Sequence, residues 1–262
     1  VVLATTTLID GLLAMTPELQ WLAHAVLASW LLAGRQLREA VARVMRPLHA
    51  GDIDGAREAL SHIVGRDTAR LEKDEIARGA IETLAENASD GFVAPLFWLL
   101  VFGLPGIAVY KAINTADSMI GHKSVRYLGF GWAAARLDDL ANFVPARLTA
   151  LGLVISSYFL RGANPHESWR TAWRDASKHA SPNAGWPEAA LAGALGLGLG
   201  GPRAYQGIVI ALPQMGSGRR ELDASDVEQA IALYDRLVWL SLAIVAAGLI
   251  VWAVVTIPGV RP

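Results

Sequence analysis

Three polar clusters stand in or beside strongly apolar sequence: Glu86-Asn87-Ala88-Ser89-Asp90-Gly91, Asn114-Thr115-Ala116-Asp117-Ser118-Met119 and Ala135-Arg136-Leu137-Asp138-Asp139-Leu140-Ala141-Asn142. Ionisable groups near a membrane are costly, so they usually have a task or a partner. Glu82, Glu86 and Asp90 are spaced by four, which on a helix lines up like charges on one face. A cation or an arginine opposite would remove that repulsion. Asn114 and Asp117 lie three apart, with Lys111 one turn earlier, an oxygen-rich face suited to Mg²⁺ and a phosphate. Asp138 shares a helix face with Asn142, and Arg136 shares another with Asp139. Together the clusters read most simply as one site for Mg²⁺ and phosphate. Each has a plainer reading too: a solvated helix face ending in a turn, an Asn-capped interfacial helix, or an Arg136–Asp139 pair at a polar helix start.

Other candidates are weaker. Arg174, Asp175, Lys178, His179, Ser181, Pro182 and Asn183 form a compact polar run that suits an anion or is simply a solvated linker. Gly216-Ser217-Gly218-Arg219-Arg220 lacks the glycine and lysine spacing of a phosphate-binding loop, and no dinucleotide fingerprint occurs. His24, in an apolar arm, reads as a packed side chain, and His122 adjoins the second cluster. The absence of cysteine excludes disulfides, thiolate metal sites and cysteine nucleophiles.

The elements that must position these groups are membrane helices. The 262 residues are 53% hydrophobic and only 18% charged, below the roughly 25% of soluble domains. The net charge of −1 gives no basic field for nucleic acid. Leu237–Pro258 is an uncharged run long enough to span. Val1–Met15 and Leu19–Gly34 suggest an apolar hairpin broken at Thr16-Pro17. Residues 35–90 read as a polar helical segment, with Asp54 as a helix cap and Thr68–Ala88 amphipathic. Gly91–Tyr110 is uncharged but broken by Gly103-Leu104-Pro105-Gly106. Each half would be about 16 Å of helix, half a bilayer, so a re-entrant hairpin is favoured over a span. In that case Glu86 and Asp90 meet Asn114 and Asp117 on one membrane face. Phe143–Leu160 is expected to span, Arg161–Trp186 to be a polar loop, and glycine-rich Pro187–Pro213 to pack closely or form a second broken helix. Asp223–Ser225 should cap a helix starting at Asp226. The expected fold is thus an all-α, polytopic membrane bundle in a single domain over 1–262. Its N-terminus reads as incomplete.

At the three clusters the sequence resembles the adenosylcobinamide-phosphate synthase family of cobalamin biosynthesis, the CobD/CbiB membrane proteins. The resemblance covers about residues 35–235. It runs through Val64-Gly65-Arg66-Asp67-Thr68, Glu82, Ala85-Glu86-Asn87, Asp90-Gly91, Ala94-Pro95-Leu96-Phe97-Trp98 and Gly103-Leu104-Pro105-Gly106. It continues through Tyr110-Lys111-Ala112-Ile113-Asn114-Thr115, Asp117-Ser118-Met119-Ile120-Gly121, Ala134-Ala135-Arg136-Leu137-Asp138-Asp139 and Pro145-Ala146-Arg147-Leu148. Arg174-Asp175, His179-Ala180-Ser181-Pro182-Asn183, Gly185, Glu188-Ala189 and Gly193-Ala194-Leu195 complete it. Family members usually carry a further N-terminal apolar segment with no counterpart here.

The resemblance implies an ATP-dependent amide ligase in the cell's inner membrane. It would join the carboxylate of adenosylcobyric acid to aminopropanol phosphate or a related amino-alcohol phosphate. Such chemistry needs Mg²⁺, positive side chains on phosphates and a base for the amine. On residue chemistry, Glu86, Asp90, Asp117 and Asp138 would hold Mg²⁺. Asp117, Asp138, Asp139 and His179 are the candidate catalytic groups, with His179 as base or phosphate contact. Lys111, Asn114, Arg136, Arg174, Lys178 and Asn183 would bind ATP as co-substrate. Expected partners are the corrinoid, the amino-alcohol phosphate and membrane lipid, with other corrinoid-pathway enzymes or a second copy of the chain as further candidates. Two other readings fit the residues alone: a Mg²⁺-dependent transferase acting on a prenyl or lipid diphosphate, and a corrinoid transporter or scaffold without chemistry.

Overall fold

The computed structural model describes residues 2–14, 17–120, 128–205 and 207–256. Thr16 of the expected first break, and Gly121 and His122 beside the second cluster, lie outside them. The chain is helical almost throughout. Helices α1 (Val2–Ala14) and α2 (Pro17–Leu31) flank the break and pack on each other and on α6. Next come α3 (Gly34–Ala50), α4 (Ile53–Ser61), α5 (Lys73–Asn87), a π-helical turn (Ala88–Val93) and α6 (Ala94–Ile120). Then follow α7 (Leu128–Ser157), α8 (Pro165–Asp175), α9 (Gly185–Leu195) and α10 (Ala224–Thr256). Short antiparallel ladders occupy the α9–α10 connection: β1 (Leu199–Gly200) with β4 (Gln214–Met215), and β2 (Arg203–Tyr205) with β3 (Ile208–Ile210).

Helix α5 is the centre of the core. Ile76, Ala80, Ile81 and Leu84 are fully buried, so the helix is covered nearly all round and is not the amphipathic element expected. It also starts later than Thr68, at a reciprocal cap in which Glu72 and Glu75 each accept the other's backbone N–H. Leu37, Val41 and Val44 of α3, Leu60 of α4, Leu191 of α9 and Val227, Leu233 and Leu237 of α10 close around it. Tyr234 donates its hydroxyl to the Gly34 carbonyl at 3.0 Å, and Arg38 pairs with Asp235 at 3.0 Å, locking α10 to α3.

Among the described residues, three helical stretches are long and apolar enough to cross a membrane: Lys73–Ile120, Gly131–Ser157 and Ala224–Thr256. In α10 the polar first half lies in the core, while Trp239, Ile244, Leu249, Ile250 and Trp252 are bare. Such a continuous exposed apolar surface suits lipid. The first stretch is no single rod. Gly103 (φ 65, ψ −153) breaks α6, and Pro105 starts its second arm with the φ a helix needs. The arms fold back so closely that a Cβ on Gly106 would run into the Trp98 carbonyl. The Tyr110 hydroxyl reaches the Asp90 carbonyl at 3.1 Å across twenty residues of sequence. An unbroken helix would hold those residues about 30 Å apart. This is the re-entrant geometry expected.

Other boundaries depart from expectation. Asp52, not Asp54, caps α4, accepting the Gly55 N–H at 3.0 Å. Helix α7 begins well before Phe143, so Asp138 and Asp139 lie inside it. Arg161–Trp186 is largely helical: Asn164 caps α8 at the Glu167 N–H, with Pro165 in the first turn, a signature written in the sequence. Ser168, Thr171, Ala172 and Asp175 form its buried face, small enough for α9 to approach. Gly193 of α9 sits against the Glu167 carbonyl where no Cβ would fit, as glycine packing predicts. Beyond Gly196, however, the glycine-rich stretch becomes ladder rather than broken helix. Helix α10 starts at Ala224, two residues earlier than expected, with Asp226 accepting the Asp223 N–H at 2.9 Å and Asp223 accepting the Ser225 N–H at 2.8 Å.

One buried carboxylate ties α8 to the ladder. Asp175 accepts from Arg174 Nε at 2.8 Å and from the Gly216 N–H at 2.8 Å, and pairs with Lys178 Nζ at 2.6 Å. Burial alone would raise its pKa. The bonds from Arg174, Lys178 and Gly216 outweigh burial and hold it well below the usual carboxylate range. Its stabilising contribution is present above the unfolded value of about 3.9 and is lost as pH falls through the lower native value. Asp175→Ala should therefore cost about 2 kcal/mol at pH 7, since it strands a buried N–H and two cations. Its deficit should shrink below about pH 4. Denaturant melts in detergent across pH check this, and a pH-independent deficit would count against it.

Candidate active site

The fold-back brings the first two clusters together, and α7 supplies the third. Asn114 donates to Asp138 Oδ1 at 3.2 Å and Asn142 to Oδ2 at 3.0 Å, so both oxygens of that carboxylate are anchored. Tyr110 donates to Asn142 Oδ1 at 2.9 Å as well as to the Asp90 carbonyl, joining the π-helical turn, α6 and α7. Asp117 and Glu86 lie within electrostatic range of Asp138, and Lys111 within range of Asp90. Glu86 is exposed to solvent, with Arg203, Glu82, Asp138 and Asp117 within electrostatic range. Thus Glu86, Asp90, Lys111, Asn114, Asp117 and Asp138 converge from positions 86 to 138. Among the described residues no three acids or imidazoles form a ready-made metal cage. Mg²⁺ commonly takes one or two carboxylates and completes its shell with substrate phosphates and water, which this looser set suits.

The chain runs on through Asn87–Gly91 as a π-helical turn rather than a loop. Such turns re-aim side chains and recur at functional sites. The Ala33 N–H donates to the Gly91 carbonyl at 2.9 Å, fixing the turn against the α2–α3 junction.

The remaining candidates sit elsewhere. Arg136 pairs with Asp139 at 3.4 Å on the exposed side of α7, the plainer reading of that dipeptide. Arg174 and Lys178 are engaged by Asp175. Asn183 is buried and committed: its amide donates to the Asp139 carbonyl at 2.8 Å and its oxygen accepts from Arg147 at 3.2 Å. Arg147 in turn stacks on Phe143, 3.7 Å from the ring centroid.

A second charged group lies beyond Glu82. That carboxylate is buried, pairs with Arg66 at 3.1 Å and Arg203 at 3.0 Å, and accepts the Gly200 N–H at 2.7 Å. Arginine, not metal, therefore answers the first acid of the Glu82/Glu86/Asp90 row. Nearby, Glu188 is buried on α9, its Oε2 without a hydrogen-bond partner among the described residues and its Oε1 3.6 Å from His179 Nε2. Burial raises the Glu188 pKa well above the ordinary carboxylate, with Glu82 and Glu86 pushing the same way. Burial also lowers His179, leaving its imidazole neutral at pH 7. His179 Nδ1 faces both the Ser181 N–H at 3.0 Å and the Ser181 carbonyl at 3.3 Å, so this loop holds the ring in place in either tautomer.

Glu188, Arg66 and Arg203 were not among the sequence candidates. Arg203 and Glu188 each sit in the apolar Pro187–Pro213 region or at its edge, the criterion that found the acid clusters. Applied evenly, it would have flagged both.

A carboxyl that keeps its proton in the native state penalises folding as pH rises past the unfolded glutamate value of about 4.3. Glu188→Gln should therefore match or exceed the parent's thermal stability at pH 8. The parent should lose stability between pH values near 5 and 8 that the variant keeps, on the order of 1 kcal/mol per unit of pKa shift. Parallel falls in both proteins would show that Glu188 is ionised in the folded chain.

Comparison with known proteins covers nearly the whole chain. The family model described as CobD/Cbib protein matches residues 1–234. A Sinorhizobium protein named Cobalamin biosynthesis protein CobD is 49% identical over 229 residues, 87% of this chain and 71% of that protein. Proteins of the same name from Rhodobacter capsulatus and Klebsiella pneumoniae are 48% and 44% identical, over 89% and 90% of this chain and 73% and 74% of their own lengths. No solved structure matches. With a matching family model over most of its length and several relatives near half identity, this chain belongs to the CobD/Cbib protein family.

Proposed function

We propose that the chain acts in cobalamin biosynthesis as a membrane-embedded, ATP-dependent amide ligase that makes adenosylcobinamide phosphate. The observation that carries this reading is the family match over residues 1–234, with relatives named for cobalamin biosynthesis. The convergence of Glu86, Asp90, Lys111, Asn114, Asp117 and Asp138 supports it, because that set suits phosphoryl chemistry. Exposed apolar surface on α10 supports a place in the cytoplasmic (inner) membrane.

In the proposed reaction the carboxylate of adenosylcobyric acid attacks the terminal phosphorus of ATP. ADP leaves and an acyl phosphate forms. The amine of aminopropanol phosphate, or a related amino-alcohol phosphate, then attacks the acyl carbon, and inorganic phosphate departs as the amide forms. Glu86, Asp117 and Asp138 would hold Mg²⁺, which supplies charge neutralisation on the phosphates. Asn114 and Asn142 keep Asp138 oriented through their amides. Lys111, beside Asp90, would balance charge developing on the transferred phosphoryl group. The departing phosphate would take up the proton the amine releases. Asp90, held at the π-helical turn, would complete the acidic wall. His179, held by Ser181, would serve as base or phosphate contact. Arg136, Arg174, Lys178 and Asn183, already engaged by protein groups, would act through positioning.

The deciding measurement is ADP and corrinoid product formation by the detergent-purified protein given both substrates, Mg²⁺ and ATP. ADP made together with an amide-linked product is expected, and EDTA should abolish both. Asp117→Asn should lower kcat by about 10²-fold or more, on the scale of removing one electrostatic contact. ATP-independent release of diphosphate from an isoprenoid, or corrinoid binding with no ADP, would overturn the ligase. Unchanged turnover in Asp117→Asn would remove that residue from the site.

A further inference from the structure

On the far side of the Arg66–Glu82–Arg203 bridge from the acid cluster lies a cavity of about 560 Å³, bounded by the Arg66–Arg78 segment and the β1–β2 connection. That volume falls within the range of small-ligand sites, roughly 300–1,000 Å³. Four guanidiniums line it: Arg66, Arg70, Arg78 and Arg203. Its acids are already committed. Asp67 accepts the Gly207 N–H at 2.8 Å, and Glu75 accepts the Glu72 N–H at 2.9 Å. Asp74 pairs with Arg78 at 2.7 Å, and Glu82 holds Arg66 and Arg203.

Donors remain in surplus. The Arg66 and Arg78 side chains are each only 9% exposed, and their buried Nε–H groups have no acceptor among the described residues. Arg70 is exposed at the rim, and no carboxylate engages it among the described residues. Buried donors without acceptors are rare in native proteins and call for a cause. Arg220 stands behind this wall, donating to the Gly200 carbonyl at 3.0 Å. Burial lowers its pKa, Arg78 pushes the same way, and Glu82, Asp74 and Glu221 push back. Arg78 Nη2 donates to the Arg220 carbonyl at 3.0 Å. An anion entering the cavity would offer acceptors to the exposed fork of Arg70 and further acceptors to the arginine wall. A phosphate group, with several oxygens matched to guanidinium geometry, fits this better than a single carboxylate.

We propose that this cavity is a phosphate-ester binding site, separate from the acid cluster, with Arg70 as its accessible contact and Arg66 and Arg78 as its buried wall. The site stands on its own geometry and does not require the ligase reading. A nucleotide and a small alkyl phosphate share the recognised group, so competition must distinguish them.

The test is equilibrium binding of radiolabelled inorganic phosphate to the full chain in detergent, without Mg²⁺. Arg70→Glu should weaken binding at least tenfold, and Arg70→Gln by less. Arg161→Glu, the same charge change on the exposed α7–α8 connection, should leave affinity unchanged. Thermal melts would confirm that all three variants fold like the parent. Displacement at lower concentration by metal-free ATP than by propyl phosphate assigns the site to a nucleotide, and the reverse assigns it to a small phosphoester. Both support the proposal. Undiminished binding in Arg70→Glu, an equal loss in Arg161→Glu, or no saturable binding at all would overturn it. ADP formation without phosphate binding here would sink this site and leave the ligase standing.

Discussion

A helix can break at membrane depth only where its freed backbone groups find partners inside the protein. In this chain the Tyr110 hydroxyl ties together the two sides of the hairpin that the Gly103 break opens. By donating to both the Asp90 carbonyl and Asn142, it fastens the returning arm of α6 to the π-helical turn and to α7. Everything catalytic in the proposed reading follows from this fastening. Without it Lys111, Asn114 and Asp117 would stand far from Glu86 and Asp90, and Asp138 would lose the Asn114 amide. Gly103 permits the reversal, but it is the side-chain bond across the hairpin that fixes its depth.

A second constraint is the handling of buried charge. Glu82 is matched by two arginines and a backbone amide, while Glu188 a short distance away has one oxygen with no partner. The two carboxyls, spared or satisfied differently, divide the interior. On one side acids outnumber cations around an open recess. On the other, guanidiniums outnumber free acceptors around a closed wall. Buried charges of this kind are expensive to strip of one partner, so the division is held in place by the core that surrounds α5.

Much of this was legible in the residues. Helical spacing and apolar runs gave the all-α membrane character, and the Gly103–Gly106 break gave the hairpin, because both depend on local rules. That Asn114, Asp117 and Asp138 would come together was foreseeable, because polar groups in apolar sequence are rarely idle. What escaped was non-local. The sequence marks Arg66 and Glu188 only as charges, since their pairing arises when α5, α9 and the ladder meet. The surroundings of α5 were hidden for the same reason: its polar positions look solvated until Arg203 and Arg66 arrive to bury Glu82. Helix α8 is different. Its Asn164-Pro165 start was readable and was outweighed by the polarity of the residues after it.

The bond between Tyr234 and the Gly34 carbonyl spans 200 positions of sequence. Its consequence concerns synthesis order. Contacts that distant must wait until α10 has left the ribosome. Until α10 arrives, the parts of α3 and α5 that it covers stay open, although they were made early. The insertion machinery must therefore keep a half-finished bundle from sticking to itself, and α10 acts as the latch that ends this vulnerable interval.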